Sequence, residues 1–253
     1  MSPLEAALVA LAGVAAGTIN AVVGSGTLIT FPTLLAFGVP PVTANVSNTI
    51  GLVPGSAAGA YGYRRELADQ GSRLRRLAPA SIGGGVAGGL LLLWAPGAFE
   101  AVVPALIGLG VLLVVTGPRI SAWVARRHEA VGGLPATGAW WVWPGMFLCG
   151  VYGGYFGAAQ GVLMMAVLGI GVDEALQRLN GLKNVLAMLV NLVAGVLFAV
   201  LADVDWLIVA LIAVGSTLGG LLGASVGRRL PAGVLRGFIV VVGVTALVAL
   251  LLD

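Results

Sequence analysis

Charged residues are scarce in this chain of 253 residues: Asp, Glu, Lys and Arg make up 9% of it, against 59% for hydrophobic residues. Soluble globular domains carry about 25% charged residues, so the composition excludes an ordinary soluble protein. The net charge of +3 comes from arginines clustered between apolar runs, which is typical of cytoplasmic loops and not of a nucleic-acid-binding surface. The sequence therefore predicts a polytopic membrane protein in the lipid bilayer, with no nucleic-acid partner.

Cysteine and histidine occur once each, as Cys149 and His128. One cysteine forms no intrachain disulfide and gives no metal framework, and His128 lies beside Arg126 and Arg127 in a polar segment where we expect solvent. Neither residue is placed to act as the nucleophile or metal ligand of an intramembrane enzyme, and the sequence contains no Walker A loop for ATP hydrolysis. We therefore predict a protein that is not an enzyme and that holds no metal and no cofactor.

Carboxylates are missing from the middle of the apolar runs. All ten Asp and Glu residues fall at the ends of these runs or in the polar segments between them. Buried Asp or Glu residues are common proton carriers in coupled transporters, so a relay of that kind has no evident residue here. The N-terminus also lacks a positively charged region and a cleavage site, so we expect no removable signal peptide.

Long apolar runs fill most of the chain. Eight of them approach the roughly 20 residues that a helix needs to cross a bilayer. Two shorter runs, 27–38 and 161–171, are too short to cross and are predicted to form half-helices or re-entrant segments. The sequence thus predicts an all-α membrane protein with about eight long helices. The long runs are residues 4–23, 42–63, 76–95, 99–117, 140–157, 174–201, 206–226 and 232–252.

Arginine clusters predict which loops face the cytoplasm. They flank the loop at 64–76, lie within 118–138 and occupy 228–229. Following the chain from these loops, residues 4–38 enter and leave at the outer face, and residues 140–171 do so at the inner face. Each is then a hairpin, either a full span plus a re-entrant arm or two tilted half-spans. Both termini are predicted on the extracytoplasmic side of the cell membrane.

The two halves of the chain share this layout of a hairpin followed by three crossings, in opposite orientations. We predict a first membrane repeat at 1–117, a cytoplasmic linker at 118–138 and a second repeat at 139–253. Gly24-Ser25-Gly26 in the first hairpin parallels the segment from Gly157 to Gly161 in the second. Inverted repeats with broken helices are typical of secondary transporters.

Two segments, 12–63 and 145–198, carry a family resemblance. Their glycine breaks, the Pro40-Pro41 pair, the Asn48-Thr49 step and Lys183 resemble the two repeats of the sulfite exporter TauE/SafE family of bacterial membrane permeases. The resemblance implies movement of sulfite, organosulfonates or related sulfur anions across the cytoplasmic membrane. The chain departs from the family in two places: Gly-Ser-Gly replaces a longer glycine run, and Asn48-Thr49 stands where an Asn-Lys pair is frequent.

The glycine breaks are predicted to hold the substrate. If both hairpins reach the middle of the membrane, each half-helix begins there with unsatisfied amides and about half a positive charge, which binds anions. The alternative is that the glycines only let helices pack closely. The predicted site residues at the breaks are Gly24, Ser25, Gly26, Thr27, Gly157, Gln160 and Gly161.

Polar side chains deep in two apolar runs complete the predicted site. Lys183 lies ten residues past Asp173, about 15 Å into a hydrocarbon core roughly 30 Å thick. A lysine at that depth is usually functional, and snorkelling is the alternative. For the asparagines the alternative is interhelical hydrogen bonding, and for the tyrosines it is core packing. The predicted substrate contacts are Asn45, Asn48, Asn180, Lys183 and Asn184, with Tyr152 and Tyr155 as gate residues.

The leading interpretation is a secondary transporter that exports a small sulfur-containing anion by alternating access, with the anion at the midplane. Export follows from the family resemblance alone. An anion channel, or a carrier of another small organic anion in either direction, is the alternative, and single-channel flux rates would favour the channel. A subunit-only membrane protein is a further alternative. Small-residue faces such as 83–85 and 219–220 would also allow a homodimer.

Overall fold

A computed structural model describes residues 1–130, 137–225 and 232–252. Within this part the chain forms ten helices and no strand, which confirms the all-α prediction. The helices are α1 (Pro3–Val22), α2 (Thr27–Ala36), α3 (Pro41–Gly62), α4 (Gly71–Trp94), α5 (Pro96–Ala130), α6 (Val142–Tyr155), α7 (Gln160–Gly171), α8 (Leu176–Leu201), α9 (Trp206–Ser225) and α10 (Ala232–Leu252).

Among the described residues, five segments are long and apolar enough to cross a membrane: α1, α4, residues Pro96–Ile120 of α5, α8 and α9. Helix α3, with 22 residues, has the length but carries a buried polar stretch. The run at 140–157, predicted as a long helix, forms only the 14 residues of α6. That prediction was wrong because Trp140 and Trp141 precede the helix and Gly157, with a φ of +76°, follows its end.

Both helix breaks are where the sequence predicts them, at 23–26 and 156–159. The first hairpin joins a 20-residue helix to a 10-residue helix, so it is a full-length span followed by a half-helix. The second joins helices of 14 and 12 residues, so it consists of two half-length arms. Helix α5 continues beyond the predicted end at 117 as far as Ala130.

Equivalent helices of the two halves make equivalent contacts. Helix α1 packs on α9 as α6 packs on α4, and α3 packs on α9 as α8 packs on α4. Helices α3 and α8 also pack on each other, and α5 packs on α10. Glycines allow this closeness: a Cβ atom on Gly84 of α4 would lie 2.2 Å from the Phe147 carbonyl, and one on Gly219 of α9 would lie 2.0 Å from the Val14 carbonyl.

The two ends of α8 differ in charge. Near its start lie Arg73, Arg76 and Arg178, which together with Arg64, Arg65 and Arg75 we call the arginine-rich end. Arg76 donates hydrogen bonds to the carbonyls of residues 137, 138 and 139, over 2.6–3.1 Å, and so fixes the chain before α6. After α8 the acidic end consists of Asp203 and Asp205. The arginines at 228–229 lie outside the described residues.

Candidate substrate site

The tips of the two hairpins touch each other. Gly24 adopts a φ of +82° in the first break, and Gly157 adopts +76° in the second, values that suit glycine. The Gly161 amide donates a hydrogen bond to the Gly24 carbonyl over 3.0 Å. A Cβ atom on Gly24 would lie 2.4 Å from the Gly161 Cα atom, so only glycine fits at this contact. The breaks therefore bring residues far apart in sequence to one place.

Several amides at the starts of α2 and α7 have acceptors, which corrects the expectation that they are unsatisfied. The Leu28 amide donates to the Ser25 carbonyl over 3.2 Å, and the Val162 amide donates to the Ala159 carbonyl over 3.0 Å. The Gly161 amide is used by Gly24, as described above. By contrast, the Ser25 hydroxyl has no hydrogen-bond partner among the described residues, although the residue is only 1% exposed.

Lys183 is the only lysine of the chain and is 1% exposed. Its ammonium donates to the Asn20 carbonyl over 3.3 Å. Asn180 and Asn184 both donate to the Ala21 carbonyl, over 3.3 and 3.2 Å. These carbonyls belong to the last turn of α1, where the helix leaves acceptors unused and where its dipole favours a cation. Three of the predicted site residues thus gather on the carbonyl end of α1, directly before the first break.

The charge of Lys183 has no carboxylate partner within 4.0 Å among the ion pairs of the described residues. A buried cation without a counter-ion is unfavourable, and one carbonyl with a helix end compensates it only in part. The Asn20 carbonyl and the end of α1 thus stabilise the positive charge of Lys183 only in part, and no carboxylate completes the compensation among the described residues.

Helix α3 repeats the arrangement of α8 on the other hairpin. Asn45 and Asn48 are its fifth and eighth residues, as Asn180 and Lys183 are in α8. The Asn45 amide donates to the Tyr155 carbonyl at the end of α6 over 3.0 Å. Helices α3 and α8 therefore each bond to the carbonyl end of the first helix of the hairpin in the other half.

Asn48 instead bonds to α2. Its amide donates to the Thr27 hydroxyl over 3.5 Å, and its side-chain oxygen accepts a hydrogen bond from the Thr30 hydroxyl. The two contacts join α3 to the first half-helix next to the break. Asn48 and Thr27 therefore lie together, as predicted, and Thr30 joins them.

Gln160 and Tyr152 make their bonds inside the second hairpin. The Gln160 amide donates to the Cys149 carbonyl over 3.1 Å, and the Tyr152 hydroxyl donates to the Ala158 carbonyl over 2.6 Å. Both side chains hold the break in shape. The Tyr155 ring packs edge-on against Phe99, with 5.5 Å between ring centroids, so the side chain that was predicted to gate contributes to an aromatic core.

Sequence reasoning missed a chain of polar groups that leads away from Lys183. The Ser56 hydroxyl accepts hydrogen bonds from the Asn20 amide over 3.2 Å and from the Asn191 amide over 3.4 Å. Since the Asn20 carbonyl holds Lys183, the chain runs over α1, α3 and α8. Spacing could have found Asn191, which follows Asn184 by two helical turns and so shares its face.

Apolar spans, two broken helices that meet in the protein interior, and a buried cation between the halves are the features of a multi-pass helical membrane transporter. A family model described as sulfite exporter TauE/SafE matches residues 9–250. The chain belongs to this family, and the resemblance seen in the sequence is confirmed.

Two curated relatives are distant in sequence but similar over nearly their whole length. The probable membrane transporter protein ORF9 of Sinorhizobium sp is 28% identical, over 94% of this chain and 89% of the relative. The probable membrane transporter protein YfcA of Escherichia coli K12 is 27% identical, over 100% of this chain and 92% of the relative.

Proposed function

We propose that this membrane transporter exports a small sulfur-containing anion, such as sulfite or a sulfonate, and holds it beside Lys183. The observation that carries the proposal is a fully buried ammonium beside the last turn of α1, directly before the first break, whose only hydrogen bond among the described residues is to a carbonyl. A charged oxyanion is a stronger acceptor for an ammonium than a carbonyl is. Binding of the anion would therefore draw Lys183 away from Asn20.

Neutral donors on α8 and at the first break complete the proposed site. The Asn180 and Asn184 amides lie on the same turns of α8, and the Ser25 hydroxyl is buried without a partner in the described part of the chain. The start of α2 adds the positive end of a helix dipole. These groups suit an oxyanion because each can donate a hydrogen bond without adding a charge that would prevent release.

Alternating access follows from the proposed organisation as two inverted repeats, 1–117 and 139–253, joined by a cytoplasmic linker. The exchange symmetry of the helix contacts supports this organisation, since each hairpin packs on helices of the other half. Rocking of the repeats about α3 and α8 would expose Lys183 to one face and then to the other. The positive-inside rule assigns the arginine-rich end to the cytoplasm and both termini to the outside.

Charge at the two mouths supports export. Arginines at the inner mouth raise the local concentration of an anion, and Asp203 and Asp205 at the outer mouth lower it. Capture is therefore favoured inside and recapture is disfavoured outside. The gradient of the anion sets the net direction, and the charges set how well each face competes for it.

The test is transport of labelled sulfite or a sulfonate by the purified protein in liposomes. Lys183→Met keeps the length of the side chain but removes its charge, and we expect it to abolish most transport. Arg119→Gln is the matched control, since it removes a positive charge from an exposed side chain of α5 outside the arginine-rich end. Normal transport by Lys183→Met would refute the role of Lys183 in binding the anion. Transport of carboxylates but not of sulfur anions would show that the substrate is another organic anion.

A further inference from the structure

One carboxylate ties two helices together at the arginine-rich end. Glu174 lies between α7 and α8, and its Oε2 atom accepts a hydrogen bond from Arg73 of α4 over 2.6 Å. The Arg178 Nε atom of α8 lies 3.1 Å from the same oxygen. The Arg73 and Glu174 side chains are only 11% and 19% exposed, so the pair closes a gap between the halves of the chain.

Backbone contacts reinforce this closure. The Gln70 amide, fully buried, donates to the Arg178 carbonyl over 2.8 Å. Arg178 in turn donates to the Ala68 carbonyl over 2.7 Å, and Arg73 donates to the Asp173 carbonyl over 3.3 Å. The connection between α3 and α4 is thus bound to the start of α8.

None of the ion pairs of the described residues lies at the corresponding place at the acidic end. Thr43 is the third residue of α3, as Arg178 is of α8, and the segment 202–205 follows α8 as 63–70 follows α3. Here the protein surface has a shallow depression of about 460 Å³, lined by Thr43 and residues 203–206. One hydrogen bond, from the Asp205 amide to the Ser47 hydroxyl over 3.0 Å, links the two segments.

We propose that Arg73, Glu174 and Arg178 form a latch that holds the arginine-rich end shut, and that the latch must open before an anion passes between that end and Lys183. The inference rests on the proposed function, because alternating access requires one end to be closed at a time. Partly exposed ion pairs contribute little each, so the latch holds the end shut and still opens readily. Helices α4 and α8 separate when it opens.

Labelling of a single cysteine tests the latch without any substrate. In a Cys149→Ala background, Asn180→Cys places a thiol on α8 between Arg178 and Lys183. A membrane-impermeant thiol reagent is applied to each face of reconstituted vesicles in turn. From the arginine-rich face we expect Glu174→Gln to raise the labelling rate about two- to fivefold, the population shift expected when a partly exposed ion pair is lost.

Arg73→Gln should have the same effect through the other partner of the pair, and it keeps the test valid should Glu174→Gln fold poorly. Glu100→Gln, an exposed carboxylate on α5, is the control and should leave the rate unchanged. Unchanged labelling in both latch variants would overturn the latch even if sulfur anions are transported. Faster labelling of the latch variants, together with no movement of sulfur anions by the parent protein, would instead uphold the latch and refute the proposed substrate.

Discussion

The contact between the hairpin tips predicts a severe penalty for a methyl group at Gly24. Gly24→Ala perturbs the protein in two ways, since it places a side chain at a φ of +82° and a Cβ atom 2.4 Å from the Gly161 backbone. The chain offers a separate control for each effect. Gly38 has a φ of +75° with nothing within 4 Å, and Gly161 has a Cβ position 2.5 Å from Gly24 without a positive φ.

The magnitudes follow from these two controls. Left-handed backbone costs an alanine roughly 1–2 kcal/mol, and reduced freedom of the unfolded chain returns about 0.4–1 kcal/mol, so Gly38→Ala should lower the free energy of unfolding by about 1 kcal/mol. Overpacking costs about 1–3 kcal/mol, which is the expectation for Gly161→Ala. Gly24→Ala combines both effects and should cost about 2–4 kcal/mol.

The assay is the apparent melting temperature of each purified variant in the same detergent. About 2–4 °C is lost per kcal/mol in a chain of this size, so Gly24→Ala should melt roughly 4–16 °C below the parent protein. Gly38→Ala should melt only a few degrees below it. A Gly24→Ala protein as stable as Gly38→Ala would refute the reasoning, because it would mean that the tips do not touch.

Two further predictions concern the ends of α8. Partial burial raises the pKa of Glu174, but hydrogen bonds from Arg73 and the Ala175 amide and the charges of Arg178 and Arg73 outweigh it, so the pKa lies below its ordinary value of 4.5. A carboxyl of this kind stabilises the protein above its ordinary pKa and loses that effect as the pH falls through the lowered value. The melting temperature should therefore fall below about pH 4.5, and it should fall less in Glu174→Gln. Parallel curves of melting temperature against pH for the two proteins would argue against the ion pairs. Asp203→Asn should raise anion uptake from the acidic end up to about fivefold at low salt and less at high salt, and a salt-independent effect would contradict an electrostatic cause.

Local physics explains why much of this architecture could be predicted from the sequence. The breaks at Gly24 and Gly157 were predictable because glycine is a poor helix former and the two glycine-rich segments occupy corresponding places in the two halves, whereas consecutive glycines such as those at 83–85 remain helical. Depth along a helix follows from a fixed rise per residue, so the burial of Lys183 and Asn48 could be predicted too.

The remainder depends on contacts between segments distant in sequence. Nothing local shows that the Gly161 amide finds the Gly24 carbonyl, so the supply of free amides at the breaks was overestimated. The same holds for Asn20, whose carbonyl meets Lys183 only after the two halves of the chain have packed together. The sequence left open whether the second hairpin has one long arm or two short ones, because Trp140 and Trp141 are as apolar as the helix that follows them.

Lys183 also gives the protein a built-in reporter. As the only lysine in the chain, it is the single source of a side-chain amine, and its burial shields that amine from amine-reactive dyes in the folded state. Modification of residue 183 would therefore follow the opening of the interface between the halves, and mass spectrometry distinguishes it from reaction at the N-terminus. Protein produced with lysine labelled with ¹⁵N at the ammonium would give one side-chain resonance in an NMR spectrum, from the protein interior and free of overlap with any other lysine.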